Sequence, residues 1–406
     1  MSDSSVLHQT WRLYHWQAID SQGSIQDGDS IEVSKDGIYQ QLFAAGLQPL
    51  KIHMKQSLHR RFWKNQDRVS IIRQLATLLQ AGLPLVNSLT LLAGEHPKPA
   101  WQCVLHNIAK GVREGRPLSE MLNAYPDVFP DIYRQIISIG ELTGQLDQCC
   151  LQLAAQQEQQ AELKAKVKKA LRYPLIVSVI ATLVTLLMLT MVLPEFAKIY
   201  ASFDAQLPWF TRMLVATSEV LVGTGPWLAG VLSLCCFAYL RKLHPQKRWK
   251  LREQKLLLTL PLTSRLVTDS CLSQIFQTLA MTQQAGMTLI AGLAAASASM
   301  SNLHFQTALG QIREQIMQGV PLHKAFVQSP LFPSLCQQLI KIGEESGSLD
   351  ELLLKLADLH NEKANSLADT LSQTIEPVLM AVMGVIVGGL VIAMYLPIFQ
   401  LGSVMG

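Results

Sequence analysis

Two stretches of nineteen residues carry almost no charge: Leu175–Leu193 (LIVSVIATLVTLLMLTMVL) and Val378–Leu396 (VLMAVMGVIVGGLVIAMYL), with Tyr395 their only ionisable side chain. At 1.5 Å per residue each reaches roughly 28 Å as a helix, about the thickness of a bilayer's hydrocarbon core. Lipid cannot hydrogen-bond a peptide group, so such a run is restricted to helix if it spans a membrane. The other reading is a buried helix of a soluble domain. A third run, Val220–Leu240, is read as a span although Gly223, Gly225 and Pro226 interrupt its start. Composition agrees with the membrane reading: 49% of residues are apolar and 16% charged, against roughly a quarter charged in average soluble domains.

Basic residues set the expected direction. Lys164, Lys166, Lys168, Lys169 and Arg172 precede the first run, and Arg241, Lys242, Lys247, Arg248, Lys250, Arg252 and Lys255 follow the second. Lys198 and Arg212 are the only lysine or arginine residues between them. The positive-inside rule then puts 1–174 and 241–377 in the cytoplasm and 194–219 outside. No apolar leader occupies the first twenty residues, so a cytoplasmic N-terminus is expected, with a short periplasmic tail at 397–406. The basic juxtamembrane run is also suited to anionic lipid. The seven cysteines show no zinc spacing and read as reduced thiols.

The chain also repeats itself. IGELTGQLD at Ile139–Asp147 returns as IGEESGSLD at Ile342–Asp350. One residue further apart, Gln80-Ala81-Gly82 matches Gln284-Ala285-Gly286 and Gly115-Arg116-Pro117-Leu118 matches Gly319-Val320-Pro321-Leu322, and after a one-residue deletion Pro174 matches Pro377. Each copy therefore comprises a soluble part and the apolar run that follows it, while the middle run returns the chain to the same side. Apolar spacing within a copy is helical and punctuated by glycine and proline, which predicts helices near 68–81, 85–95, 100–114, 117–124, 131–140 and 145–172. Residues 11–52 alternate differently and predict a small α+β element.

The expected architecture is an all-α membrane protein: two homologous six-helix cytoplasmic bundles, three transmembrane helices and a small α+β N-terminal element. Its divisions are 1–60, 61–174, a span at 175–193, a loop at 194–219, a span at 220–240, a basic linker with the second helical domain at 241–377, a span at 378–396 and the tail.

Chemical motifs are missing. The sequence has no Gly-Lys pair and hence no P-loop, and neither HExxH nor GxSxG occurs. No catalytic residue and no cofactor site is predicted. The repeated phrase reads as an interhelical corner built on Gly140, Glu141 and Gly144, and again on Gly343, Glu344 and Gly347. A divalent-ion site at Glu141 or Glu344 and a partner-contact loop are the alternatives, although one carboxylate per corner is few for a calcium cage. Pro174 is expected to kink the helix at the membrane surface. Gly384-x-x-x-Gly388 permits close helix packing, within the chain or between copies.

Two repeated helical modules, three apolar runs, the GExxGxLD corner, and Lys166-Val167-x-x-Ala170-Leu171-x-Tyr173-Pro174 leading into the first run together resemble the inner-membrane platform proteins of type II secretion systems and type IV pili. The resemblance implies a non-enzymatic platform that couples a cytoplasmic hexameric assembly ATPase to pilin or pseudopilin subunits. Other inner-membrane components of the machine, the phospholipid bilayer and further copies of the chain are the remaining implied partners, with no direct nucleic-acid contact. Some members bind calcium near the corner glutamate; Gln145 and Ser348 stand where a second acid would be needed, so no metal is expected. An adaptor for another ATPase and a transporter are the competing readings.

Overall fold

The computed structural model describes residues 11–59, 61–195, 247–259 and 261–404, with isolated positions between 196 and 246. The expected span at 220–240 lies outside the described residues. Two compact units result: residues 1–161 with 271–359, and residues 162–270 with 360–406.

The first unit opens with a three-stranded antiparallel sheet of order β2-β1-β3, made of β1 (Trp11–Ile19), β2 (Ile25–Glu32) and β3 (Gln48–Leu58). The β1–β2 turn is held by Asp20, whose carboxylate accepts the amides of Gln22 and Ser24, both at 2.9 Å. Helix α1 (Lys35–Ala44) connects β2 to β3 and starts at Ser34, whose hydroxyl accepts the Gly37 amide. Consecutive residues of β1 are buried on opposite faces, as the two-residue period of a strand requires. Tyr14 packs with Ile38, Leu42 and Ile52 under α1, while Leu13 joins Ile31, Leu58 and the helical core. The third strand was not expected from the sequence: Gln48–Leu58 carries lysine and polar residues through most of its length, and its burial is confined mainly to Ile52 and Leu58.

Six helices follow: α2 (Asn65–Gln80), α3 (Leu85–Glu95), α4 (Pro99–Arg113), α5 (Leu118–Asn123), α6 (Asp131–Thr143) and α7 (Leu146–Leu187). After α8 (Lys247–Thr259) the series returns as α9 (Pro261–Gln284), α10 (Leu289–Ser299), α11 (Leu303–Met317), α12 (Leu322–Val327), α13 (Ser334–Ser346) and α14 (Leu349–Val404). The punctuation works as glycine and proline predict. At the end of α2 the Gly82 amide donates to Leu79 and the Leu83 amide to Leu78, a Schellman closure, and Pro84 then opens α3. Gly286 and Met287 close α9 in the same way.

Both copies build aromatic cores, and two of the ring positions correspond in the repeat, Trp101 with Phe305 and Phe129 with Phe332. In the first copy Trp63, Trp101, Phe129 and Tyr133 form a chain of ring contacts at 4.9–6.3 Å. In the second, Phe276, Phe305, Phe326 and Phe332 do so at 4.5–6.5 Å. Met281, Ala285 and Ala295 of the second copy also enter the first copy's core cluster, so the modules share buried surface.

Helix α7 differs from expectation at its far end. It runs through Pro174 without interruption and passes into a π-helical turn at Met188–Val192. Proline removes one backbone hydrogen bond, and the flanking turns suffice to hold the helix. Pro377 likewise lies inside α14. Both helices are long and apolar enough to cross a membrane, by length and composition. Only 6% of the most apolar window is buried in the first and none in the second, so these side chains are not a soluble core. In the second unit α7 and α14 pair through Leu163 and Val167 against Ala364 and Ala368, with Leu266 alongside.

Candidate functional site at the repeated helix corner

Each copy of the repeated phrase forms the junction between its fifth and sixth helices. Gly140 is still inside α6, and the chain turns only at Gly144, which has φ +72° and caps the helix in the left-handed region. Gly347 does the same after α13 at φ +73°. A side chain there would bring its Cβ against the carbonyl oxygen, which is why glycine ends helices this way. The corner consequently starts three residues later than the predicted end of α6 at 140. Asp147 then sits in the first turn of α7, and Asp350 and Glu351 in that of α14, where helix-end amides favour negative charge.

The earlier glycine of each phrase has another cause. A Cβ on Gly140 would lie 2.9 Å from Leu146 Cα and 3.0 Å from Cys149 Cβ. On Gly343 it would lie 3.0 Å from Leu349 Cα. These contacts are with the backbone of the next helix, so the two helices cross at closest approach over a bare Cα.

The glutamates turn away from the corner to a different helix. The two Glu141 carboxylate oxygens accept the amides of Leu118 and Ser119, the latter at 3.1 Å, and Oε2 also accepts the Ser119 hydroxyl at 2.5 Å. Glu344 repeats this on Leu322 (2.7 Å) and His323 (3.0 Å), with His323 Nδ1 at 2.5 Å from Oε2. The reason lies in Pro117 and Pro321. Each is the N-cap residue of its short helix and supplies no side-chain hydrogen bond, leaving the first amides of α5 and α12 without a local acceptor. The cap comes instead from α6 or α13, more than twenty residues on. Burial alone would raise the Glu344 carboxyl, but the amide and ring hydrogen bonds from His323 and the Leu322 amide outweigh it and hold the group below its usual 4.5.

Such an arrangement locks two helices together. Among the described residues no three His, Cys, Asp or Glu side chains converge as a metal group.

The structure thus gathers Gly140, Glu141 and Gly144 at one corner and Gly343, Glu344 and Gly347 at the other. Pro174, Pro377, Gly384 and Gly388 belong to the second unit. Among the described residues no atom approaches a notional Cβ on Gly384 or Gly388 within 4 Å, whereas Gly389 meets Phe210 at 3.8 Å. Sequence reasoning missed the capped residues Leu118 and Ser119 and their counterparts Leu322 and His323. The available signal was the joint return of GRPL with GE and of GVPL with GE at nearly the same spacing.

Comparison with known proteins agrees with the repeat. The family described as Type II secretion system (T2SS), protein F matches residues 71–194 and again 275–397. The chain is 39% identical to "Protein transport protein HofC homolog" of Escherichia coli over 394 residues, covering 97% of this chain and 98% of that protein. It is 34% identical to "Type IV pilus assembly protein PilC" of Pseudomonas aeruginosa, over 84% of this chain and 92% of that protein. With "Type II secretion system protein F" of Aeromonas hydrophila it shares 28% identity over 79% and 85% of the two chains. Twice-matched and similar over nearly its whole length to assembly and transport proteins, the chain belongs to the type II secretion system F family.

Proposed function

We propose that this protein is a non-enzymatic, multi-pass inner-membrane platform of a type IV pilus or type II secretion machine, coupling a cytoplasmic assembly ATPase to the assembly of pilin or pseudopilin subunits. The observation that carries this reading is the construction of each repeat: a capped helix corner from which one helix runs unbroken into an exposed apolar stretch. In the first copy that helix extends from Leu146 to Leu187, and in the second from Leu349 to Val404. A displacement imposed at the corner is carried along a rigid helix to the depth of the membrane.

In this reading residues 1–174 and 241–377 are cytoplasmic, the spans are 175–193, 220–240 and 378–396, and the N-terminus faces the cytoplasm and the C-terminus the periplasm. Gly140, Glu141, Gly144, Gly343, Glu344 and Gly347 keep the corners stiff. The open faces at Gly384 and Gly388 receive another apolar helix, including that of a second copy. Other inner-membrane components of the machine complete the assembly. The relatives' names as pilus assembly, transport and secretion proteins support the role.

Co-purification tests it. The full chain, solubilised in mild detergent, is expected to retain the assembly ATPase of its own organism, and a strain lacking the chain is expected to lose filaments or secretion. Normal output from that strain, with no ATPase retained, would overturn the proposal.

A further inference from the structure

We infer that the membrane-proximal face of α7 is a binding site for an anionic phospholipid, with the headgroup held by Lys168 and Arg172 and an acyl chain lying along the helix beyond them. The inference rests on the membrane reading given above.

Three observations converge on it. Lys168, Arg172, Leu175, Val179, Thr182 and Leu186 step by four, three, four, three and four residues, so they share one face of a single helix. Lys164 lies one turn earlier on that face. Basic side chains therefore give way to apolar ones along one line, at the point where Tyr173 stands exposed.

Next, the cations are free. Among the described residues Lys164, Lys168, Lys169 and Arg172 have no acidic partner, whereas Lys166 turns to α14 and meets Asp369 at 3.6 Å and Asn365 at 2.9 Å. The helix thus assigns one lysine to the protein and leaves four to an outside anion.

Finally, the apolar part of the face carries a shallow, open groove of about 740 Å³ lined by this one helix, running from Leu171 past Pro174 and Val179 to Leu186. The fifteen helical steps from Leu171 to Leu186 give it a length of roughly 22 Å, more than the depth of one leaflet at about 15 Å. Its polar lining does not spoil it: the Thr182 hydroxyl donates to the Ser178 carbonyl at 2.7 Å and is satisfied within the helix. Three of these cations, Lys164, Lys168 and Arg172, stand in line with a groove of this length and match a phosphate headgroup with its chain. A second apolar helix alone would leave the cations unanswered.

Native mass spectrometry of the full chain in neutral detergent tests this, with phosphatidylglycerol and phosphatidylcholine of equal acyl length as probes. The wild type is expected to retain phosphatidylglycerol preferentially. Each basic group near an anionic headgroup contributes about five-fold, so K168Q/R172Q should lower that retention roughly 25-fold and leave phosphatidylcholine unchanged. Val179→Trp, which fills the groove, should weaken both lipids.

Should the charge variant fail to fold, a salt titration of the wild type decides. Phosphatidylglycerol retention must fall as the Debye length shortens from about 30 Å at 0.01 M to about 3 Å at 1 M. Equal retention of the two lipids by wild type, or undiminished phosphatidylglycerol binding by K168Q/R172Q, overturns the inference. So does a Val179→Trp chain that keeps its lipid but changes oligomeric state, which would give the groove to another helix. A wild-type chain released from membranes by carbonate refutes the membrane reading itself, a separate outcome.

Discussion

Replacing Glu141 by alanine removes a cap supplied from a distance, and the structure sets the size of the effect. Of the first amides of α5, Glu141 serves Leu118 and Ser119, while Pro117 has no N–H to satisfy. Leu118 is 1% exposed, so water cannot reach its amide easily once the carboxylate is gone. Loss of a helix cap costs about 0.5–2 kcal/mol and a buried unsatisfied donor about 1–3 kcal/mol; the two overlap here, and we expect about 2–3 kcal/mol in all. In a unit of this size one kcal/mol lowers the melting temperature by roughly 2–4 °C, so Glu141→Ala should melt about 5–10 °C below wild type. The assay is a thermal melt of the detergent-solubilised full chain, followed by tryptophan fluorescence, since Trp101 and Trp63 lie in the same core. A double-mutant cycle with Ser119→Ala should show coupling of about 0.5–3 kcal/mol, because the serine hydroxyl bonds the same carboxylate. A Glu141→Ala melt indistinguishable from wild type, with no coupling to Ser119, would refute the capping argument.

Further outcomes follow from the same geometry. Gly347→Ala, at φ +73°, should destabilise by about 1 kcal/mol or somewhat more, read from the same melt; Gly310→Ala, in a helix with open space around it, should not. The Glu344 carboxyl is depressed in the fold by His323 and Leu322 against the opposing effect of burial, so its contribution is present above pH 4.5 and is lost as pH falls through its lower folded value. Acid melts should therefore show stability falling below pH 4.5 in wild type and a shallower fall in Glu344→Gln. Burial raises the Cys149 thiol to about 11 and pushes Cys150 higher still, so both should resist iodoacetamide at pH 8 in the native chain and react on unfolding, as mass spectrometry of labelled peptides would show.

Much of the architecture was legible before any coordinates. Helices α2 to α6 and the start of α7 fall within a few residues of the segments predicted from apolar spacing, because glycine at a left-handed cap and proline at the next N-cap are local requirements that the chain states twice. The apolar runs were equally plain, since the absence of charge over nineteen residues needs no tertiary context. The strand β3 was not legible: its lysines and glutamine mask an alternation that matters only at Ile52 and Leu58, where β1 lies alongside. Helix on both sides of Pro174, by contrast, was legible, since a kink was expected there and not a stop.

For the site, sequence alone determined that GExxG is used twice and pointed to a corner, with an ion site and a partner-contact loop left as alternatives. It could not tell that Gly140 is small because Leu146 crosses it, or that Glu141 and Glu344 serve the starts of α5 and α12. Spacing along a chain reports forces between near neighbours, such as capping, turn geometry and the burial of one helix face. A carboxylate that reaches an amide more than twenty residues away is specified by how helices pack, and only the folded molecule brings those two groups together.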